Sequence, residues 1–275
     1  MFDNQSVYRK LLDDILAYDG DDLFGHVLAP WTNNADTEKA WLTSVASYSE
    51  EAWPQATTED LCRLYALSVV NDTLLMAFQK GDLDAALPEL RGQLTLDRYA
   101  QFMQSCGCSI TDRSDFHPFY HEIVEVRPAA DPDAAIELQD CVWPCLMLGA
   151  MMFSRAGCVV AGGRAHIDKD VAENSTLYWA HRRADRPRAD LSDGWGNNSK
   201  WRTNFRRDYR VSDTHCYNVD GSEEVDASER LAQEDDRNGL SPDERIELLT
   251  HRCFISVAKP HDDLWPYDYT LKRSG

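Results

Sequence analysis

The hydrophobic period of this chain changes once, near Ser109, and that change limits the folds open to it. Before it, apolar residues recur at three- and four-residue intervals, the period of amphipathic helices. After it come short β-branched and aromatic runs set between glycines and prolines, the pattern of strands. Helices first and strands later indicate α+β rather than alternating α/β architecture. The reading is an α+β fold, a helical N-terminal layer packed on a small, mainly antiparallel sheet. Residues 1–110 form the helical region and 111–275 the α+β region, packed with it as one compact unit.

Helix boundaries are written in capping chemistry. Val7, Leu11 and Ile15, with Tyr8 and Leu12 alongside, line a first helix that Gly20 ends. A loop holding Pro30 follows, and Asp36 or Thr37 opens a second helix through Trp41 and Val45. Thr57 precedes two acids and caps the longest helix, about residues 58–79, apolar over so wide an arc that it belongs at the centre of the core. Thr95 caps another helix, which Gly107 stops, and Ser241-Pro-Asp-Glu244 is a capping box with proline at the first helical position. Asp168 or Asp170 caps a helix running from Val171 to His181. Residues 120–143 read as a hairpin, 142–153 as core, 157–163 as a buried strand between glycines, and 252–258 as a final strand.

The stretch from Phe116 to Val126 (Phe-His-Pro-Phe-Tyr-His-Glu-Ile-Val-Glu-Val) gathers two of the eight histidines and two carboxylates. As a helix it puts His117, His121 and Glu125 on one stripe, with the imidazoles roughly 6 Å apart and able to share a metal ion. As a strand it separates the histidines by roughly 13 Å, too far for one ion. Ile-Val-Glu-Val is β-branched, which favours a strand over 121–127 with a non-helical entry at His117-Pro118. The candidate metal ligands are His117, His121 and Glu125, and iron, zinc or copper suits imidazole with carboxylate. Without metal, Glu122 or His121 is the candidate general base. His166 or His251 is a candidate arrival from elsewhere in the chain. His121-Glu122-Ile-Val-Glu125 departs from the zinc-peptidase pattern His-Glu-x-x-His, having Glu where the second His belongs. The bland alternative is a pair of hydrogen-bonded structural histidines.

A second stretch runs from Gly194 to Arg210. Asn198 or Ser199 caps an expected helix on which Trp201, Phe205 and Tyr209 recur beside Arg202, Arg206 and Arg210. From His181 to Arg210 nine Lys or Arg face four Asp, a local +5 that leaves −24 for the rest of a chain of net charge −19. Trp201, Arg202, Arg206 and Asn198 are therefore candidate contacts to a small anionic substrate, since arginine forks match carboxylate and phosphate. The competing account is internal pairing of these arginines with acids and aromatic faces.

The overall acidity disfavours nucleic acid and anionic membrane as partners. The N-terminal residues show no secretory pattern and the cysteines no paired Cys-x-x-Cys knuckles, so the expectation is a cytoplasmic protein with reduced thiols. Two functions remain. One is an enzyme, metal-dependent or not, with a His/Glu centre acting on a small anion. The other is a non-catalytic acidic protein, of the inhibitor or immunity type, that binds a basic protein.

Overall fold

The structure, a computed structural model, describes residues 6–47, 55–81, 90–188, 203–225, 239–259 and 268–275. It is an α+β fold with a helical N-terminal layer and a mainly antiparallel sheet. The helices are α1 (Ser6–Ala17), α2 (Ala29–Asn33), α3 (Asp36–Ala46), α4 (Thr58–Leu75), α5 (Leu96–Ser105), α6 (Lys169–Asn174) and α7 (Pro242–His251). Thr57 and Asp60 close the capping box of α4, Thr95 accepts from the Arg98 N–H, and Ser241 with Glu244 closes the box of α7. Where a loop was expected, a π-helical turn (Phe24–Leu28) leads into α2, and Pro30 takes a first-turn position that needs no N–H.

The strands are β1 (Ser109–Thr111), β2 (His121–Pro128), β3 (Glu137–Trp143), β4 (Cys145–Leu148), β5 (Met151–Ser154), β6 (Ala156–Gly162), β7 (Asp208–Val211), β8 (Thr214–Tyr217), β9 (Glu223–Glu224) and β10 (Tyr269–Ser274). Seven form one sheet in the order β1-β4-β5-β7-β8-β10-β9. On one face Leu146, Leu148, Met151, Phe153 and Tyr209 join the helical core with Leu67, Val70 and Leu74 of α4. On the other, Cys145, Met147, Met152 and Tyr217 pack on Phe119, Leu249 and Leu271. Both faces are covered, which explains the unbroken apolar run of 145–153. Gly149 makes the two-residue turn from β4 to β5 with φ of 61°, and a Cβ there would lie 2.1 Å from the Ala46 carbonyl oxygen.

Three expectations are corrected in the second half of the chain. Residues 120–143 are not a hairpin: β2 and β3 flank β6 in the order β2-β6-β3, with β2 parallel to it. Gly157 in β6 leaves room for the Trp143 indole, which a Cβ would meet at 2.3 Å. The helix begun after Asp168 stops at Asn174, because the Asp168 cap is followed by only two turns before Ser175 turns extended. Residues 252–258 are irregular, their backbone held by the Glu247 carboxylate and by Asp168 and Tyr178 N–H groups. Among the described residues no helix is long and apolar enough to cross a membrane.

A candidate imidazole and arginine site

His117 and His121 meet through a turn. Pro118 fixes φ for a helical turn, and the His117 carbonyl accepts from the Tyr120 and His121 N–H groups, each at 3.0 Å. The chain then extends into β2. His121 Nδ1 lies 3.0 Å from the His117 N–H, and the Phe119 N–H donates to His117 Nδ1 at 3.1 Å. With Nδ1 accepting, a neutral His117 carries its proton on Nε2. The stretch is thus neither the helix that would chelate nor the strand that would separate the rings.

Two further histidines arrive from distant segments. His215 of β8 sits 4.3 Å from His117, ring centre to ring centre, and its Nε2 is 3.1 Å from the Tyr120 hydroxyl. His251, the last residue of α7, stacks on Phe116 at 6.1 Å, and His121 stacks against Phe116 at 5.7 Å. Burial, then the neighbouring His215 and Arg113, pushes His117 down to about 4. Burial, then Arg155 and His117, pushes His251 down to about 3. Burial also lowers His121 and His215. All four imidazoles are therefore neutral at pH 7. His251 also lines a cleft of about 530 Å³ with Thr250, Ile255 and Glu247.

The carboxylates named with these histidines are elsewhere. A bulge between Ile123 and Glu125 shifts the register of β2 against β6, so His121, Ile123 and Val126 share one face and Glu122 and Glu125 the other. Glu125 pairs with Lys80 at 2.9 Å and with Arg127. Glu122 is buried and gripped by Arg183 through both oxygens, at 3.0 and 3.3 Å. Burial raises the Glu122 pKa, but the Arg183 guanidinium outweighs it and holds the carboxyl below its ordinary value. Glu122 is thus a structural anchor tying β2 to Arg183 and, through Arg183, to Asp72 of α4 at 2.7 Å. His166 is exposed and lies against the Asp133 carbonyl. Among the described residues no three His, Cys, Asp or Glu side chains are placed to hold one metal ion.

The arginine-rich stretch resolves differently from its helical reading. Asn198, Trp201 and Arg202 lie outside the described residues. Residues 203–207 are irregular and 208–211 are strand β7, so alternate residues share a side and Arg206 meets Asp208 at 2.8 Å. Arg206 is 2% exposed and also donates to the Tyr178 hydroxyl and the Leu249 carbonyl. Its donors are turned inward rather than toward solvent.

Asp208, fully buried, is the centre of a charge network. Its Oδ1 accepts from Arg206 and from the Asn218 N–H at 2.8 Å, and its Oδ2 lies 3.4 Å from Arg155 and 3.2 Å from Arg252. Arg252 takes the left-handed conformation with φ of 61° at the end of α7, where glycine is usual. Arg155 is the one charged residue between Cys145 and Gly163, a sequence signal for a buried charge that the apolar pattern obscures. His215 carries no comparable signal, since one histidine in a four-residue strand is unremarkable until the sheet brings it to His117. Comparison of the chain with protein families, with curated proteins and with solved structures finds no match.

Proposed function

We propose that the protein is an enzyme acting on a small anionic substrate, with imidazole as its proton carrier. One observation carries this reading. Four imidazoles from three segments far apart in sequence (the Phe116–His121 turn, β8 and the end of α7) gather beside buried arginine. A neutral imidazole is free to accept a proton, and an anion bound nearby raises its basicity toward the working range. His251, on the cleft wall, is the assigned base, and His117, whose Nδ1 is held by the Phe119 N–H, is the assigned hydrogen-bond donor through Nε2.

The test is a turnover screen against phosphate monoesters and carboxylates, followed by His117→Gln and His251→Gln. The expected loss in kcat/KM is about 10²–10⁴-fold, the usual worth of a positioned acid–base group. Variants that fold and turn over normally overturn the assignment. Elemental analysis is run alongside. One equivalent of iron, zinc or copper that disappears in His117→Ala/His121→Ala would replace this reading with a metal-dependent one.

A second reading is favoured by where the charge sits. Eight arginines but only four carboxylates are buried among the described residues, so all other residues together carry −23 of the net −19. A remainder more acidic than the whole suits a basic protein partner. Copurification of such a partner, released as salt rises from about 0.1 to about 1 M, with no turnover in the screen, would support it instead.

A further inference from the structure

Among the described residues the buried arginines differ in how well they are paired: Arg186 bonds two carbonyls and leaves Nη2 over, and Arg155 and Arg252 must share one carboxylate. Arg183 sits between Asp72 and Glu122, and Arg206 is joined to Asp208. Arg155, 3% exposed, touches a carboxylate only at 3.4 Å, and its Nε and Nη1 have no hydrogen-bond partner. Arg252, 9% exposed, shares the same Asp208 oxygen, and its Nε also has no partner. A buried guanidinium N–H left unpaired is costly, and a fold that leaves three of them side by side has left room in its chemistry for an acceptor.

We infer that Arg155 and Arg252, side by side on Asp208, form a subsite for a dianionic oxyanion, the phosphoryl group of a small molecule. This rests on the substrate-binding reading above and names the substrate class.

The charge count supports a dianion. Among the described residues five buried arginines (155, 183, 186, 206 and 252) are linked through three carboxylates (Asp72, Glu122 and Asp208), leaving +2 in this cluster. A phosphoryl group carries close to −2 at neutral pH, whereas a carboxylate neutralises half of the excess. The pKa directions agree. Arg183 and Arg206, which have counter-ions, are raised, whereas burial and the neighbouring Arg206 lower Arg155, and burial and the neighbouring Arg155 bring Arg252 down to about 10. Arg252 directly follows His251 at the end of α7, so the subsite adjoins that imidazole in the chain, and Arg155 is among the charges that depress His121 and His251.

The test is calorimetric titration of the full chain with inorganic orthophosphate at constant ionic strength, with acetate for comparison. Saturable binding is expected, at least tenfold tighter than acetate, and at least tenfold weaker in Arg155→Met. Should Arg155→Met fail to fold, Arg252→Gly serves: glycine accepts the left-handed cap, so the fold is kept while one donor is lost. Orthophosphate bound no better than acetate, or bound equally by wild type and Arg252→Gly, overturns the subsite. The two proposals fail separately. Loss of the imidazole reading shows as turnover indifferent to His117→Gln with phosphate affinity intact. Loss of the subsite shows as unchanged phosphate affinity in the arginine variants while turnover still depends on His117.

Discussion

Asp208 illustrates how much can depend on one side chain. It is fully buried, and its two oxygens receive Arg155, Arg206, Arg252 and the Asn218 N–H. Asp208→Ala strands three buried cations, and breaking a buried pair from one side costs about 3–5 kcal/mol. Urea unfolding should show a loss of that order, and a change below about 1 kcal/mol would mean the arginines are solvated some other way. His251 makes a pH prediction at the same scale. Its folded pKa, about 3, lies below the ordinary 6.5 because it is buried and faces Arg155, His117 and Arg186. Between those values the unfolded chain binds the proton and the folded chain does not. Stability is therefore full above about pH 6.5 and falls as pH drops toward 3. His117, held at about 4, adds to the same slope. The urea midpoint should fall between about pH 7 and about pH 5, and His251→Gln should flatten that fall. Equal slopes in both proteins would remove His251 from the account.

At the scale of elements, what was legible in the sequence follows from the range of the interactions that form them. The caps at Thr57, Thr95, Asp168 and Ser241 are contacts three residues long, and the structure forms each of them. Thr57→Ala should cost about 1 kcal/mol. Gly149→Ala should cost more, because it adds a left-handed strain to a Cβ lying 2.1 Å from the Ala46 carbonyl oxygen. Thermal melts of the two variants rank them, and a higher Tm for Gly149→Ala than for Thr57→Ala would refute that reading of the turn. Strand partners were not legible. Alternation in 121–127 and in 137–143 is satisfied equally by a hairpin or by two strands flanking a third, and the β6 run at 156–162 decides between them. The bulge in β2 is the sharper case. One unpaired residue moves Glu125 to the face opposite His121, and nothing in Ile-Val-Glu-Val announces it.

For the whole molecule the governing quantity is charge and where it lies. With a net charge of −19 and eight arginines buried among the described residues, the remaining charges repel one another, so the protein should become more stable as the Debye length shrinks from about 30 Å at about 0.01 M salt to about 3 Å at about 1 M. Tm measured across that range should rise, and a fall would mean that surface ion pairs such as Lys80–Glu125 outweigh the repulsion. The sequence by itself determined the α+β class, the helical layer and the caps, because helical period and capping are properties of neighbours along the chain. Only the tertiary structure decided that Glu122 serves Arg183, that His215 and His251 join His117, and that Arg155 lies buried beside Asp208 with donors to spare. Those outcomes depend on which strands pair, in which register, across dozens of residues, and a side chain's pKa and partners exist only once that pairing has removed water from around it.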